Sequence, residues 1–241
     1  MQKIEVYFTP NEYVARQSKH KHLVVVVDIL RASTTICTAL ANGVKAIIPV
    51  EKLADAKIYK NKGYLVASER NSDQIDFADL GNSPFSFLSK KLEGQEIVLS
   101  TTNGTKSIAA SKGAQEIVIG AFLNLTYLAK YLISKKGNIT ILCSGWKGVF
   151  NLEDTAFAGA LSDLLLQSNI YRLDNDSAVA ANSIWQSLKS NLAEEMLNTE
   201  ASKRLLSKGL KKEIDYCFKM NQVHVIPILE NNRIIKLTPQ I

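Results

Sequence analysis

The sequence predicts an α/β fold, a layered α/β/α sandwich around a mixed, largely parallel sheet. Two observations carry that prediction. Through the first two thirds of the chain, short apolar runs alternate with longer stretches whose apolar residues recur at helical spacing, the pattern of strand–helix–strand units. One of the runs, Leu23-Val24-Val25-Val26-Val27, is apolar throughout and almost continuously β-branched, as expected of a strand covered on both faces.

Taken in order, the alternation Lys3-Ile4-Glu5-Val6-Tyr7-Phe8 reads as a strand over 3–8, followed by the β-branched strand over 23–28. Further short apolar runs place strands at 46–50, 64–67, 96–99, 116–119 and 138–143. Between them, 33–41, 52–61, 83–91, 104–111, 125–134 and 153–167 read as helices. The last of these carries Ala156, Ala160, Leu161, Leu164 and Leu165 at helical spacing. Ser83-Pro84 marks the start of the helix over 83–91, because proline is tolerated in a first turn. Residues 175–208 read as helical, with Ile184, Trp185, Leu188, Leu192 and Leu197 on apolar faces. Two closing strands, 223–229 and 233–237, are joined through the turn pair Asn231-Asn232. No Gly/Pro-rich linker interrupts the chain. A single domain over 1–241 is therefore expected, with a helix-rich elaboration at about 170–220.

Composition narrows the function classes. The 241 residues carry 29 Lys+Arg against 23 Asp+Glu, for a net charge of +6, and 46% are hydrophobic, which excludes a disordered chain. No apolar run approaches the roughly 20 residues that cross a bilayer. The first residues alternate rather than form the apolar core of a signal peptide, so a cytoplasmic protein with no membrane partner is expected. Cys37, Cys143 and Cys217 are odd in number and widely spaced, which argues against a disulfide framework. His20, His22 and His224 are the only histidines and none lies near a cysteine pair, which argues against zinc. Basic residues are scattered among acids and aromatics make up 7%, so no nucleic-acid partner is expected.

In open α/β sheets ligands bind beyond the carboxyl ends of the strands, and four such ends are rich in polar residues. The first runs Asp28-Ile29-Leu30-Arg31-Ala32-Ser33-Thr34-Thr35. There Asp28 can ligate a hard cation, Arg31 can fork onto an oxyanion, and Ser33 and Thr34 open a helix. The second carries Glu69-Arg70, followed by Asp76-Phe77-Ala78-Asp79-Leu80-Gly81-Asn82-Ser83-Pro84. The third, Ser100-Thr101-Thr102-Asn103-Gly104-Thr105, surrounds a glycine with hydroxyls and an amide that can share an anion's oxygens. The fourth passes Gly145 and Gly148 to reach Glu153-Asp154 at the head of an apolar helix.

Each stretch has a bland reading when taken alone. Ser33 is then an N-cap and Asp28 a turn acid, Glu69-Arg70 is a surface ion pair, and Glu153-Asp154 complements a helix dipole. Together they form the mixture that a metal-assisted site for a phosphorylated anion needs. Neither the Walker spacing nor a G-x-S-x-G elbow is present.

These four segments, in this order, resemble the hallmark motifs of the 2-phosphosulfolactate phosphatase family. The resemblance spans Asp28 to Asp154 and continues more weakly through Asp215 and Pro227. A departure stands at Ser68 and Asn71, where the family is expected to carry glycines around Glu69-Arg70. The resemblance implies a Mg²⁺-dependent hydrolase that converts 2-phospho-3-sulfolactate to 3-sulfolactate and phosphate, a product that in some organisms leads towards coenzyme M. It carries Asp28, Glu69, Asp79 and Glu153 as catalytic candidates, and Asp28, Glu69, Glu153 and Asp154 as Mg²⁺ ligands. Arg31, Ser33, Thr34, Arg70, Asn82, Ser83, Thr101, Thr102, Asn103, Gly104 and Thr105 are the substrate-binding candidates. Two other readings stay open: the same chemistry on another 2-phospho acid, and a non-catalytic anion-binding module on the same scaffold. A homodimer is left open as well.

Overall fold

The computed structural model describes residues 1–15, 22–70, 73–101 and 103–237. Thr102, a substrate-binding candidate, lies outside the described residues, as do Asn71 and His20. The chain begins β1 (Gln2–Tyr7), α1 (Pro10–Ala15), β2 (Leu23–Val27), α2 (Ala32–Ala41), β3 (Ala46–Pro49), α3 (Leu53–Asn61), β4 (Leu65–Arg70) and β5 (Asp73–Gln74). It continues through β6 (Glu96–Ser100), α4 (Gly104–Ala110), β7 (Glu116–Gly120), α5 (Leu125–Lys135), β8 (Ile139–Cys143) and α6 (Leu152–Leu166). The last third holds β9 (Tyr171–Leu173), α7 (Asp176–Leu188), α8 (Leu192–Met196), α9 (Glu200–Leu206), α10 (Lys211–Cys217), β10 (Pro227–Glu230) and β11 (Arg233–Lys236).

The strands form one eleven-stranded sheet in the order β5-β4-β6-β3-β11-β10-β7-β2-β8-β1-β9. Parallel pairings make up its two flanks, β4-β6-β3 on one side and β7-β2-β8-β1-β9 on the other. The antiparallel hairpin β10-β11 joins them, with Ile228 against Val118 and Ile234 against Ile47. Its turn is the expected Asn231-Asn232 pair, with φ of 49° and 60°, a conformation asparagine tolerates better than most residues.

The run of valines in β2 is apolar because both faces are buried. Val25 and Val27 pack into the cluster that also holds residues of α5, α6 and α7, while Val24 and Val26 pack with Ile36 and Leu40 of α2 and Ile108 of α4. A smaller cluster joins Ala56 of α3 to Ile48, Val66 and Val98. This is the layered α/β/α arrangement that the sequence predicts. Most of α6 is buried, including Ala156, Phe157, Ala160 and Leu161, which is why it is apolar nearly all round.

The structure departs from the expected elements in several places. Elements α1, β5, β9 and α10 fall outside the expected ranges, the first closing strand begins at Pro227 rather than at 223, and two helical stretches differ in kind. Residues 83–91 are two 3₁₀ turns, Pro84–Leu88 and Lys90–Leu92, rather than an α-helix. Pro84 and Phe87, three apart, are the buried pair of the first turn, which suits three residues per turn. Extended Ser89 then ends it and accepts a hydrogen bond from the Lys91 N–H. The stretch 175–208 is three helices, α7 to α9. Thr199 caps the last of them by accepting the Ser202 N–H at 3.1 Å. Among the described residues no helix is long and apolar enough to cross a membrane.

Candidate functional site

Parallel pairing sets the carboxyl ends of β2 and β8 side by side, and separately those of β4 and β6. The hairpin's antiparallel pairings reverse one flank relative to the other, and contacts between the loops that follow the strands bring the two groups together. Asp28 follows β2, where its own N–H donates to Ser33 Oγ at 2.7 Å and its Oδ1 accepts from the Ala32 N–H at 3.3 Å. Thr34 Oγ1 donates to the Ile29 carbonyl at 2.9 Å, so both hydroxyls fold the loop back on itself instead of capping α2. Asp28 also accepts from the Gly104 N–H at the start of α4. A Cβ on Gly104 would lie 2.9 Å from Asp28 Oδ2 and 2.8 Å from Ala32 Cβ. Only glycine allows that approach, and it brings the first and third motifs into contact.

The fourth motif closes on the same point. Asp154 Oδ1 accepts from the Ile29 N–H at 2.8 Å, and Oδ2 accepts from Ser144 N–H, Gly145 N–H and Asn151 Nδ2 at 3.1–3.2 Å. Its lone pairs are thus committed to fastening the end of β2 to the end of β8. Asn103 Oδ1 accepts the Lys147 N–H at 3.2 Å, and Ser107 and Ser144 share a hydroxyl hydrogen bond of 2.8 Å. The intervening loop turns tightly: Trp146 and Val149 exchange backbone hydrogen bonds across Lys147 and Gly148, both of positive φ. A Cβ at Gly145 would stand 2.4 Å from the Val149 carbonyl.

Three further placements refine the expected set. Glu69 is buried rather than at the surface, and Arg70 donates to its carbonyl at 2.6 Å and to Ser100 Oγ at 3.1 Å. Arg31 is buried in an ion pair with Glu213 of α10, whose other oxygen accepts from Ser83 Oγ at 2.8 Å. The guanidinium expected to reach substrate therefore locks the first two motifs to the C-terminal helices. Thr35 Oγ1 adds a 3.0 Å bond to the Asn82 carbonyl. Asp79 lies apart from the other acids, paired with Lys60 and accepting the Val66 N–H at 2.8 Å. Burial works against its charged form, but Lys60 and that N–H outweigh it, leaving the carboxyl below its usual range. The structure does not bring Asp79 into the cluster, because its strand-edge ties hold it beside Lys60.

Asp28, Glu153 and Asp154 are all held well above the ordinary carboxylate range. Burial is the first cause in each case, and mutual repulsion adds to it: Asp154 and Glu69 act on Asp28, Asp28 acts on Glu153, and Glu153 acts on Asp154. Oxygen-only donors that repel one another while buried form a set suited to a hard cation. Among the described residues, however, no three acids, histidines or cysteines are arranged to hold a metal ion together. The four acids expected to ligate Mg²⁺ do not form one cage, and Asp154 is spent on its N–H donors. Two of these carboxylates would suffice to hold a cation such as Mg²⁺, which commonly keeps water and substrate oxygens as its other ligands. Thr101 Oγ1 is buried without a partner and Thr105 Oγ1 donates to the Thr101 carbonyl at 3.0 Å.

Two residues that no strand-end motif contains also belong to this region. Arg204 of α9 places its guanidinium carbon 3.8 Å above the Trp146 ring, and the charges of Glu153 and Glu69 act on it. Glu213 holds Arg31. Neither belongs to one of the four strand-end motifs, and an arginine or a glutamate in a charged helix normally marks a solvated face. Trp146, Asn151, Glu153, Thr199, Glu200 and Arg204 line a cleft of about 400 Å³. A cavity of about 520 Å³ adjoins Asn103, Lys106, Ser144 and Lys147. Another of about 470 Å³, beside Glu51, Lys52 and Thr105, contains none of the clustered acids.

Comparison with known proteins gives a consistent picture. A family model described as 2-phosphosulpholactate phosphatase matches residues 7–232. A protein of Thermotoga petrophila is 37% identical over 207 residues, 86% of this chain and 88% of its own. One from Pseudothermotoga lettingae is 35% identical over 240 residues, covering 98% and 100%. One from Caldanaerobacter subterraneus is 33% identical over 232 residues, 95% of each chain. All three bear the name probable 2-phosphosulfolactate phosphatase.

Proposed function

The chain belongs to the 2-phosphosulfolactate phosphatase family of phosphoric monoester hydrolases, and from that premise we propose that it cleaves 2-phospho-3-sulfolactate to 3-sulfolactate and phosphate with the help of Mg²⁺. The observation that carries the reading is the burial of Asp28, Glu69 and Glu153 within reach of one another's charge, with Gly104 packed against Asp28.

Asp28 and Glu69 would hold the cation. When bound, it would neutralise phosphoryl oxygens and make the phosphorus open to attack. Asp154 does not reach the substrate in this account. It fixes the backbone of Ile29, Ser144 and Gly145, and through them the position of Asp28. The buried Thr101 hydroxyl has a proton to give to a phosphoryl oxygen. Glu153, raised towards neutrality by burial and by Asp28, can hold a proton at working pH and give it to the leaving alkoxide.

The test is phosphate release from a panel of 2-phospho acids, in Mg²⁺ and in EDTA. Cation-dependent turnover, highest on the sulfonated member, supports the reading. Turnover in EDTA removes the role given to the acids, and binding without turnover favours an anion-binding module.

A further inference from the structure

We propose that Arg204, stacked on Trp146, is the specificity-determining residue that receives the sulfonate of the substrate. The assignment rests on the functional reading above and adds a residue to it.

The guanidinium carbon lies over the indole, 3.8 Å from the ring centroid, and the Lys147 ammonium is 5.6 Å from the same ring. Stacking of this kind fixes the plane of an arginine while leaving its N–H edge free to fork onto an oxyanion. That edge is unused by the protein. Nε is buried with no hydrogen-bond partner, and among the described residues the guanidinium forms no ion pair. Burial disfavours its charge, and Glu153, Glu69 and Glu200 support it from a distance. A positive group held half out of water, with its donors unspent, is complementary to an anion entering from the cleft.

Position selects which anion. Asp28 and the Gly104 N–H lie deep at the strand ends, where the phosphoryl group and cation would sit. Arg204 stands across Glu153 in the wall of the 400 Å³ cleft. In 2-phospho-3-sulfolactate the carboxylate is attached to the carbon bearing the phosphate ester, whereas the sulfur is one bond further away. The sulfonate is thus the group that extends towards the rim.

Steady-state phosphate release on 2-phospho-3-sulfolactate and on 2-phospholactate, which lacks only the sulfonate, tests the assignment in wild type, R204Q and R204K. The ratio of kcat/KM for the sulfonated over the plain substrate should fall roughly 10- to 100-fold in R204Q, mainly through KM, as loss of a charge-assisted bond implies. R204K, which keeps the charge without the planar fork, should fall between R204Q and wild type. An unchanged ratio, including an equal loss on both substrates, overturns the proposal. Calorimetric titration of 3-sulfolactate against lactate gives a second reading of the same preference. Wild type that hydrolyses neither phospho acid would refute the functional reading, and the binding preference would then decide the Arg204 assignment alone.

Discussion

Gly104→Ala probes the contact on which the convergence of motifs depends. The added methyl would stand 2.8 Å from Ala32 Cβ and 2.9 Å from Asp28 Oδ2, against an ordinary separation of about 3.5–4.0 Å. Ala32 has no rotamer to change, and Asp28 is tied through Oδ1 to the Ala32 N–H. The first turn of α4 must therefore retreat by somewhat under 1 Å and give up the Gly104 N–H bond to Asp28. Overpacking of this kind costs about 1–3 kcal/mol, offset by about 0.4–1 kcal/mol from the stiffer unfolded chain. The net loss of about 1–2 kcal/mol should lower Tm by about 2–8 °C in a chain of this size. If this turn binds the phosphoryl group as proposed, displacing it by nearly 1 Å should cost kcat/KM up to about 100-fold. Thermal melting and phosphate release measure the two effects, with Gly137→Ala as control because only Leu23 carbons, at 3.5 Å and beyond, face that site. A Gly104→Ala protein as stable and as active as wild type would refute the contact between the two loops.

Three other outcomes follow from the geometry. Asp154→Ala strands the Ile29, Ser144 and Gly145 N–H groups, so the urea midpoint should report a loss of about 3 kcal/mol or more; a loss below 1 kcal/mol would show that the carboxylate is no fastener. Glu213→Ala leaves the buried Arg31 charge unpaired, at about 3–5 kcal/mol, and the double variant Arg31→Met/Glu213→Leu should recover much of that loss; a double variant no more stable than Glu213→Ala would contradict the pairing. In EDTA, burial and mutual repulsion raise the Asp28 carboxyl to about 8 and those of Glu153 and Asp154 to about 7 in the folded protein, whereas in the unfolded chain they release their protons near the ordinary carboxylate value of about 4. The folded state thus binds more protons across that window, so Tm should fall as pH rises from 5 to 8. Mg²⁺ should restore Tm at pH 8 far more than at pH 5. A Tm in EDTA that is flat or rises with pH would go against a buried, mutually repelling acid cluster.

The parallel strands were legible because each is short, apolar and followed by a helix at the right spacing. The hairpin was legible from Asn231-Asn232, but its insertion between β7 and β3 was not. That placement rests on single contacts, Ile228 to Val118 and Ile234 to Ile47, between residues far apart in sequence. The site divides in the same way. Asp28, Gly104 and Glu153 stand at strand–helix junctions, where the rule for open sheets directs attention. Arg31 read as a substrate ligand because its partner Glu213 follows 182 residues later. Arg204 stayed invisible because a cation stacked on an aromatic ring leaves no spacing signal in the chain. Asp79 shared a motif with its neighbours yet was claimed by Lys60, a local ion pair that composition does not distinguish from a ligand.

The central claim is that Asp28 anchors a divalent cation among buried acids, and Mn²⁺ binding followed by electron paramagnetic resonance tests it most directly. Wild type should bind one ion, more tightly when inorganic phosphate is present, and Asp28→Asn should weaken that binding at least tenfold with the fold intact. Equal binding by Asp28→Asn, or none by the wild type, would contradict the account.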